Sequence, residues 1–370
     1  MNNAVQQLFD LTPTDEQRMN RDTMQRFAAA EMRAQAKIAD ESHSTPDGFY
    51  DKSAELGLAL LPIPEALGGA GVGHAPIANT LIIEDLAHGD MGLALGAISP
   101  LAFVNTVLDQ GTDAQRENYL PRFCSGEFVP ATTALIEAKA TFDPSQLATT
   151  ATRNAQGFSI SGSKSMVPLG LDAELLLVVA ELEGAGPAAF IVEGTPAGMT
   201  RSEETNMGLC TLQVASLEFD QMQLPASALL GDKEFDLQRF LDLSRIGICA
   251  LALGTCQAIL EYVTEYVNER EAFGEPISHR QSVAFMVADI AIELEAMRLM
   301  TWRAASRAEQ GLDFHQQAYL AKTFCGEHAM KIGTDGVQLL GGHGFCREHP
   351  VEMWYRHLRA IAILDGVASV

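Results

Sequence analysis

Apolar residues recur at helical spacing from Thr14 to about Phe123, change to a period of two between Gly126 and about Gly231, and return to helical spacing from Phe235 onward. The first stretch reads as helices capped at Thr14 and Thr112, broken by a loop at PIPEALGGAGVGHAP. Short β-rich runs fill the middle: FVPATTAL, GFSISGSK, ELLLVVAEL, AAFIVEG and LQVASLEF. Asn154 to Gly157 reads as a hairpin loop, and Pro187, Pro196 and Pro225 mark later connections. In the last stretch the spacing predicts helices over 240–269, 279–310, 315–341 and 350–363, the second with Val283, Val287, Ile290, Leu294 and Met297 along one stripe. The pattern predicts an α+β chain of three units. These are an N-terminal helical domain over 1–125, a central antiparallel β domain over 126–234 and a C-terminal four-helix bundle over 235–370.

With 370 residues, 47% of them apolar, the chain can bury a large core. A net charge of −23 argues against nucleic acid and anionic membranes, since either polyanion is repelled. A local basic site can still hold a phosphorylated small molecule. Six cysteines without CxxC pairing predict reduced thiols and a cytoplasmic protein. The stretch MNNAVQQLFDLTPTDEQ has no basic segment followed by an apolar one, so no secretory leader is expected. The run Ile246 to Cys256 is far short of the about 20 residues a membrane helix needs and predicts a buried helix. No metal site is expected: Cys325 and His328 form an isolated C-x-x-H in helical sequence, where packing is the better reading. Gly68, Gly69, Gly71 and Gly73 lack the Lys-Ser/Thr of a phosphate loop and read as turn residues.

Two blocks carry unusual residue types: YVNEREAFGEPISHRQ at 266–281 and DGVQLLGGHGFCREHPVEMWYRHLRAIAILDG at 335–366. Arg270 sits at a helix C-terminus, where the negative dipole end favours a cation. Its planar fork also matches a phosphate. Phe273-Gly274 and Gln281 follow at the start of the next helix, and Gln338 precedes Gly341-Gly342.

Three units in this order, with RExFGxPIxxxQ and QxxGGxGF in the last, resemble an acyl-CoA dehydrogenase over the whole chain. GLALLPIPEALGGAGVG, ISGSK before a strand, and GMT…NMGL…LEFDQMQLPASALLGD add to the likeness. The resemblance implies FAD as cofactor, an acyl-CoA substrate, an electron-transfer flavoprotein as acceptor, and a homotetramer. It implies that Arg270, Phe273 and Gln281 reach the FAD of a neighbouring subunit, Arg270 towards its pyrophosphate. Gln338, Gly341 and Gly342 would lie near the adenine, the glycines allowing close backbone approach. Asp242 and Arg245 match positions near the acyl-CoA entrance, although a salt bridge or helix packing explains them equally well. In the reaction so implied a carboxylate removes the α-proton while hydride leaves the β-carbon.

The base position carries Asp365 in Asp365-Gly366-Val367, where familiar members have Glu-Gly-Thr. Aspartate is shorter by one methylene, and misplacement by about 1 Å can cost about 100-fold in rate. The family's second base position is Ser244 here, which cannot act as a carboxylate. Asp90 is a third carboxylate, read as a helix cap. The family's Thr-Glu-Pro-Gly-x-Gly-Ser-Asp stretch is Ile136-Glu137-Ala138-Lys139-Ala140-Thr141-Phe142-Asp143, and its Trp-Ile-Thr/Ser is Met166-Val167-Pro168. The flavin side thereby loses hydroxyls, an aromatic wall and a backbone donor. Two alternatives follow: a non-catalytic half-site subunit of an α2β2 dehydrogenase, or a flavoprotein of the same fold resembling nitroalkane oxidases or flavin hydroxylases.

Overall fold

A computed structural model describes residues 12–232 and 234–370. Most of the stretch read for a leader lies outside the described residues. Helix α1 (Asp15–Phe27) begins at a reciprocal capping box: the Thr14 hydroxyl accepts from Gln17 N, and the Gln17 side chain accepts from Thr14 N. A π-helical turn, Ala28–Arg33, leads into α2 (Ala34–Ser42), and α3 (Phe49–Ala54) follows. Next come α4 (Pro76–Gly89) and α5 (Met91–Gln110), separated only by Asp90. Asp90 is extended and its carboxylate accepts from Leu93 N, so it caps α5 as expected. By length and composition α5 and the helix Leu237–Glu269, whose apolar stretch extends beyond the run Ile246 to Cys256, resemble membrane spans, yet 94% and 78% of their apolar windows are buried inside the protein. Thr112 and Gln115 repeat the capping box at α6 (Asp113–Tyr119).

The sheet contains β1 (Ala131–Ala134), β2 (Thr150–Asn154), β3 (Gly157–Pro168), β4 (Leu175–Leu182), β5 (Gly186–Glu193), β6 (Met199–Glu203) and β7 (Val214–Pro225). Its order is β1-β4-β2-β3-β7-β6, with β5 on the other side of β4. The β2–β3 hairpin closes at Asn154 and Gly157, as the sequence suggests. Most pairings are antiparallel, but β1 and β2 both run parallel to β4, so the sheet is mixed. Strand β4 is buried on both faces, which explains its unbroken apolar run. Leu176, Val178 and Ala180 enter the core within the sheet domain, whereas Leu175, Leu177 and Val179 pack towards α5 and the start of the next helix.

The last unit holds α7 (Leu237–Glu269), the hairpin β8 (Glu271–Ala272) and β9 (Glu275–Pro276), then α8 (Gln281–Glu309), α9 (His315–Leu339) and α10 (Val351–Leu358). The segment Ile246 to Cys256 is buried in α7 against the N-terminal unit. A Cβ on Gly254 would stand 2.1 Å from the Glu84 carbonyl oxygen, so α7 crosses α4 in backbone contact. The fourth helix is shorter than its pattern implies, because the chain tightens into a 3-10 turn at Arg359–Ala362 and then bends at Asp365-Gly366.

Candidate active site

Asp242 and Arg245, on α7, meet Asp365 where α7, α9 and the segment after α10 converge. Arg245 Nη1 donates to Asp242 Oδ1 at 3.0 Å, and its Nε stands 3.8 Å from Asp365 Oδ1. From α9, Lys322 Nζ donates to the Leu364 carbonyl at 2.9 Å and lies 3.7 Å from the same Asp365 oxygen. That oxygen is buried and has no hydrogen-bond partner, although the side chain as a whole is 22% exposed. Two cations just beyond hydrogen-bond range attract a carboxylate without occupying its lone pairs. The arrangement leaves that oxygen with no hydrogen bond from this chain.

Asp242 lies deeper and is more fully bonded. Gln238 Nε2 donates to it at 3.0 Å, and His315 Nδ1 lies 3.0 Å from its Oδ2. Burial raises its proton affinity above the ordinary carboxylate value, outweighing Gln238, His315 and Arg245. Ser244, the position that offers no carboxylate, is buried and its hydroxyl has no partner. Asp90 is fully buried and also accepts from Thr211 Oγ1 at 2.7 Å, so its role is structural.

The residues expected to reach a dinucleotide lie at the far end of the bundle. Arg270 is the C-cap of α7, exposed, and its guanidinium has no ion-pair partner among the described residues. It lines a concavity of about 450 Å³ with Tyr262, Glu265, Tyr266, Glu269, His343 and His349. Tyr266 OH lies 2.8 Å from His343 Nδ1, Tyr262 OH lies 2.6 Å from His349 Nδ1, and the two imidazoles stack at 5.1 Å. Tyr266 thus fixes the Gly341–Phe345 turn beside Arg270. Gly341 has φ +58°, and open space surrounds the Cβ positions of both Gly341 and Gly342. Phe273, Gln281 and Gln338 are exposed but do not line this concavity. Phe273 is 97% exposed at the hairpin tip with φ +59°, under Arg280, and Gln281 is the first residue of α8.

On the sheet side the donors around Met166 are already engaged, whereas the buried Thr132 hydroxyl on β1 has no partner. Met166 N and Ser165 Oγ both donate to the Glu204 carboxylate, at 2.8 Å each, and Ser216 Oγ does so as well. Ile136 packs into the helical core, with Phe142 and Met166 against its edge. Glu137 accepts from Ala148 N, Thr149 N and Lys164 Nζ, the last at 2.8 Å.

Lys322, His315 and Glu204 carry no sequence signal of their own, and Lys164 and Glu137 stand in separate motifs with nothing to show that they pair. Lys322 and His315 stand in a helix, Lys164 in a strand, Glu137 and Glu204 in loops, and only a distant partner gives each its meaning. Cys325 is buried, and His328 stacks on Phe324 at 3.8 Å, which agrees with packing.

Models of three acyl-CoA dehydrogenase domains match the chain in order: the N-terminal domain at residues 14–127, the middle domain at 132–222 and the C-terminal domain at 236–370. The bovine (Bos taurus) mitochondrial short-chain specific acyl-CoA dehydrogenase is 32% identical over 99% of this chain and 90% of its own length. Among solved structures, butyryl-CoA dehydrogenase from Megasphaera elsdenii superposes with a TM-score of 0.88 at 30% identity, covering 96% of this chain and 95% of that one. A chain from a structure described as the electron transferring flavoprotein of Acidaminococcus fermentans matches with the same TM-score, identity and coverage.

Proposed function

Because the chain belongs to the acyl-CoA dehydrogenase family, we propose that it desaturates an acyl-CoA thioester between its α and β carbons, with Asp365 taking the α-proton. The observation that carries this reading is the Asp365 carboxylate, buried at one oxygen, unbonded there, and flanked by Arg245 and Lys322. A carboxylate oxygen withdrawn from water with its lone pairs unfilled is placed as a general base requires. Asp242 holds Arg245 in place, and Lys322 fixes the Leu364 backbone, so both orient the base. Replacing Asp365 by Asn should lower turnover by about 10² to 10⁴-fold while leaving acyl-CoA binding in place. Unchanged turnover would remove Asp365 from the mechanism.

The enzyme is FAD-dependent, and the bound flavin supplies the acceptor for the β-hydride. The chain fits this cofactor best on its outward half. There Arg270 offers an unpaired guanidinium for a pyrophosphate, and the open backbone at Gly341 and Gly342 admits a ligand without a Cβ in the way. Phe273, Gln281 and Gln338 are exposed on the same end of the bundle and suit contact with a cofactor held largely by another subunit. A homotetramer is the assembly this reading favours, an electron-transfer flavoprotein its acceptor, and the cytoplasm, where six unpaired thiols stay reduced, its location.

A specific observation favours a second reading. The inward half has committed Met166 N and Ser165 Oγ to Glu204 and buried Ile136 in the helical core, which leaves few donors for a flavin ring. In an α2β2 assembly a paralogous subunit would hold the ring and this chain would complete the site from outside. Purification of the chain alone separates the two. A yellow, FAD-saturated, acyl-CoA-oxidising protein excludes the half-site subunit, whereas oxygen uptake with a small substrate and no CoA requirement moves the chemistry towards oxidase relatives.

A further inference from the structure

The residues after Asp365 enter the protein interior. Val367, Ala368, Ser369 and Val370 are each at most 3% exposed. Gly366 has φ +70° and lies against Leu135 and Phe240, which a Cβ would approach to 2.6 and 3.1 Å, and its carbonyl accepts from Thr133 Oγ1. Ala368 and Ser369 lie against Gly247 of α7. The Val370 carbonyl accepts from Asn105 Nδ2 of α5 at 3.4 Å and contacts His74 Nε2. The segment therefore threads between β1, α5 and α7, and Val367, Ala368 and Val370 belong to the main hydrophobic core.

We propose that residues 367–370 determine acyl-chain length by filling the apolar space that a chain held at Asp365 would otherwise enter. The inference rests on Asp365 as the base. A thioester placed for proton abstraction has its α-carbon at this carboxylate. The outward side is lined by Arg245, Lys322, Asp242 and His315, all polar, so an apolar tail gains nothing by extending there. Inward from Asp365 runs the path taken by Gly366 to Val370. A short acyl group ends before meeting this segment. A longer one must displace four buried residues together with the Asn105 contact, and forfeits the roughly fourfold in affinity that each buried methylene otherwise contributes.

The test is calorimetric titration of butyryl-, octanoyl- and palmitoyl-CoA into the FAD-loaded full chain, into a form lacking residues 367–370, and into a Val367→Ala, Val370→Ala double variant that keeps the backbone hydrogen bonds if the deletion fails to fold. The full chain should prefer butyryl-CoA. The deletion should raise octanoyl-CoA affinity at least tenfold with butyryl-CoA affinity nearly constant, and the double variant should raise it severalfold. Equal affinity for all three thioesters in the full chain, or one length profile shared by every form, overturns the proposal and leaves the acyl-CoA reading standing. Binding of no thioester by any form overturns both.

Discussion

The Lys164–Glu137 pair shows how one charged residue acquires meaning from its burial. The Lys164 side chain is fully buried, and burial pushes its ammonium down to about 8 against the pull of Glu137. Burial pushes the Glu137 carboxyl up, but the hydrogen bond and charge of Lys164 and two backbone N–H groups outweigh it, so the carboxyl stays below its ordinary range. An unfolded lysine keeps its proton to about 10.5. Between about 8 and 10.5 the unfolded chain therefore binds more protons, and stability rises with pH across that window, by up to about 3 kcal/mol, and is lost again as pH falls towards 8. Urea denaturation at pH 8 and pH 10 should show this rise in the natural protein and not in Lys164→Met. At pH 7 the same variant should lose about 3–5 kcal/mol, because Glu137 is left buried beside no cation. Gly366 is a second such position: its left-handed φ and the crowding by Leu135 make Gly366→Ala cost about 2–4 kcal/mol by the same denaturation assay, with turnover falling as Asp365 moves. The sequence pointed to Asp365, Asp242 and Arg245 separately. That Asp365 shares Arg245 with Asp242, and gains Lys322, depends on a contact between residues 43 positions or more apart, which no local pattern encodes.

At the level of elements, the caps were legible because capping is local chemistry. Thr112→Ala removes one half of a reciprocal box and should cost about 1 kcal/mol, read as a lower urea midpoint with unchanged slope. A midpoint equal to that of the natural protein would mean that tertiary packing alone holds α6. Strands β1, β3, β4, β5 and β7 were legible through their β-rich runs, whereas β2 and β6 were not. Each of those two buries a single residue, Ala151 or Met199, and exposes polar neighbours, so the period of two has too little contrast to register. The parallel pairing of β4 with β1 and β2 was also hidden, since strand direction is decided by the path of distant connections. On α8, Ile290, Leu294 and Met297 are buried as their spacing implies, while Val283 and Val287 are only partly covered by this chain.

Across the molecule, the opposite face of α8 carries Phe285, Ile292 and Leu299, spaced by seven residues and 62%, 67% and 48% exposed. A stripe with this repeat fits a helix of another subunit. If the proposed homotetramer packs through this stripe, Phe285→Glu combined with Ile292→Glu should reduce the mass seen by light scattering and lower the FAD content, as the outward half-site would then face no partner. A variant of unchanged mass would place the subunit interface elsewhere. The sequence by itself determined the order of helical, β and helical units, the caps and the motif-bearing turns, because periodicity, capping and turn chemistry act over a few residues. Tertiary structure alone decided that Asp365 stands between two cations, that Glu204 takes the donors beside Met166, and that the residues after Gly366 run inward among β1, α5 and α7. Those outcomes depend on which distant surfaces exclude water together, and that is a property of packing rather than of any stretch of the chain.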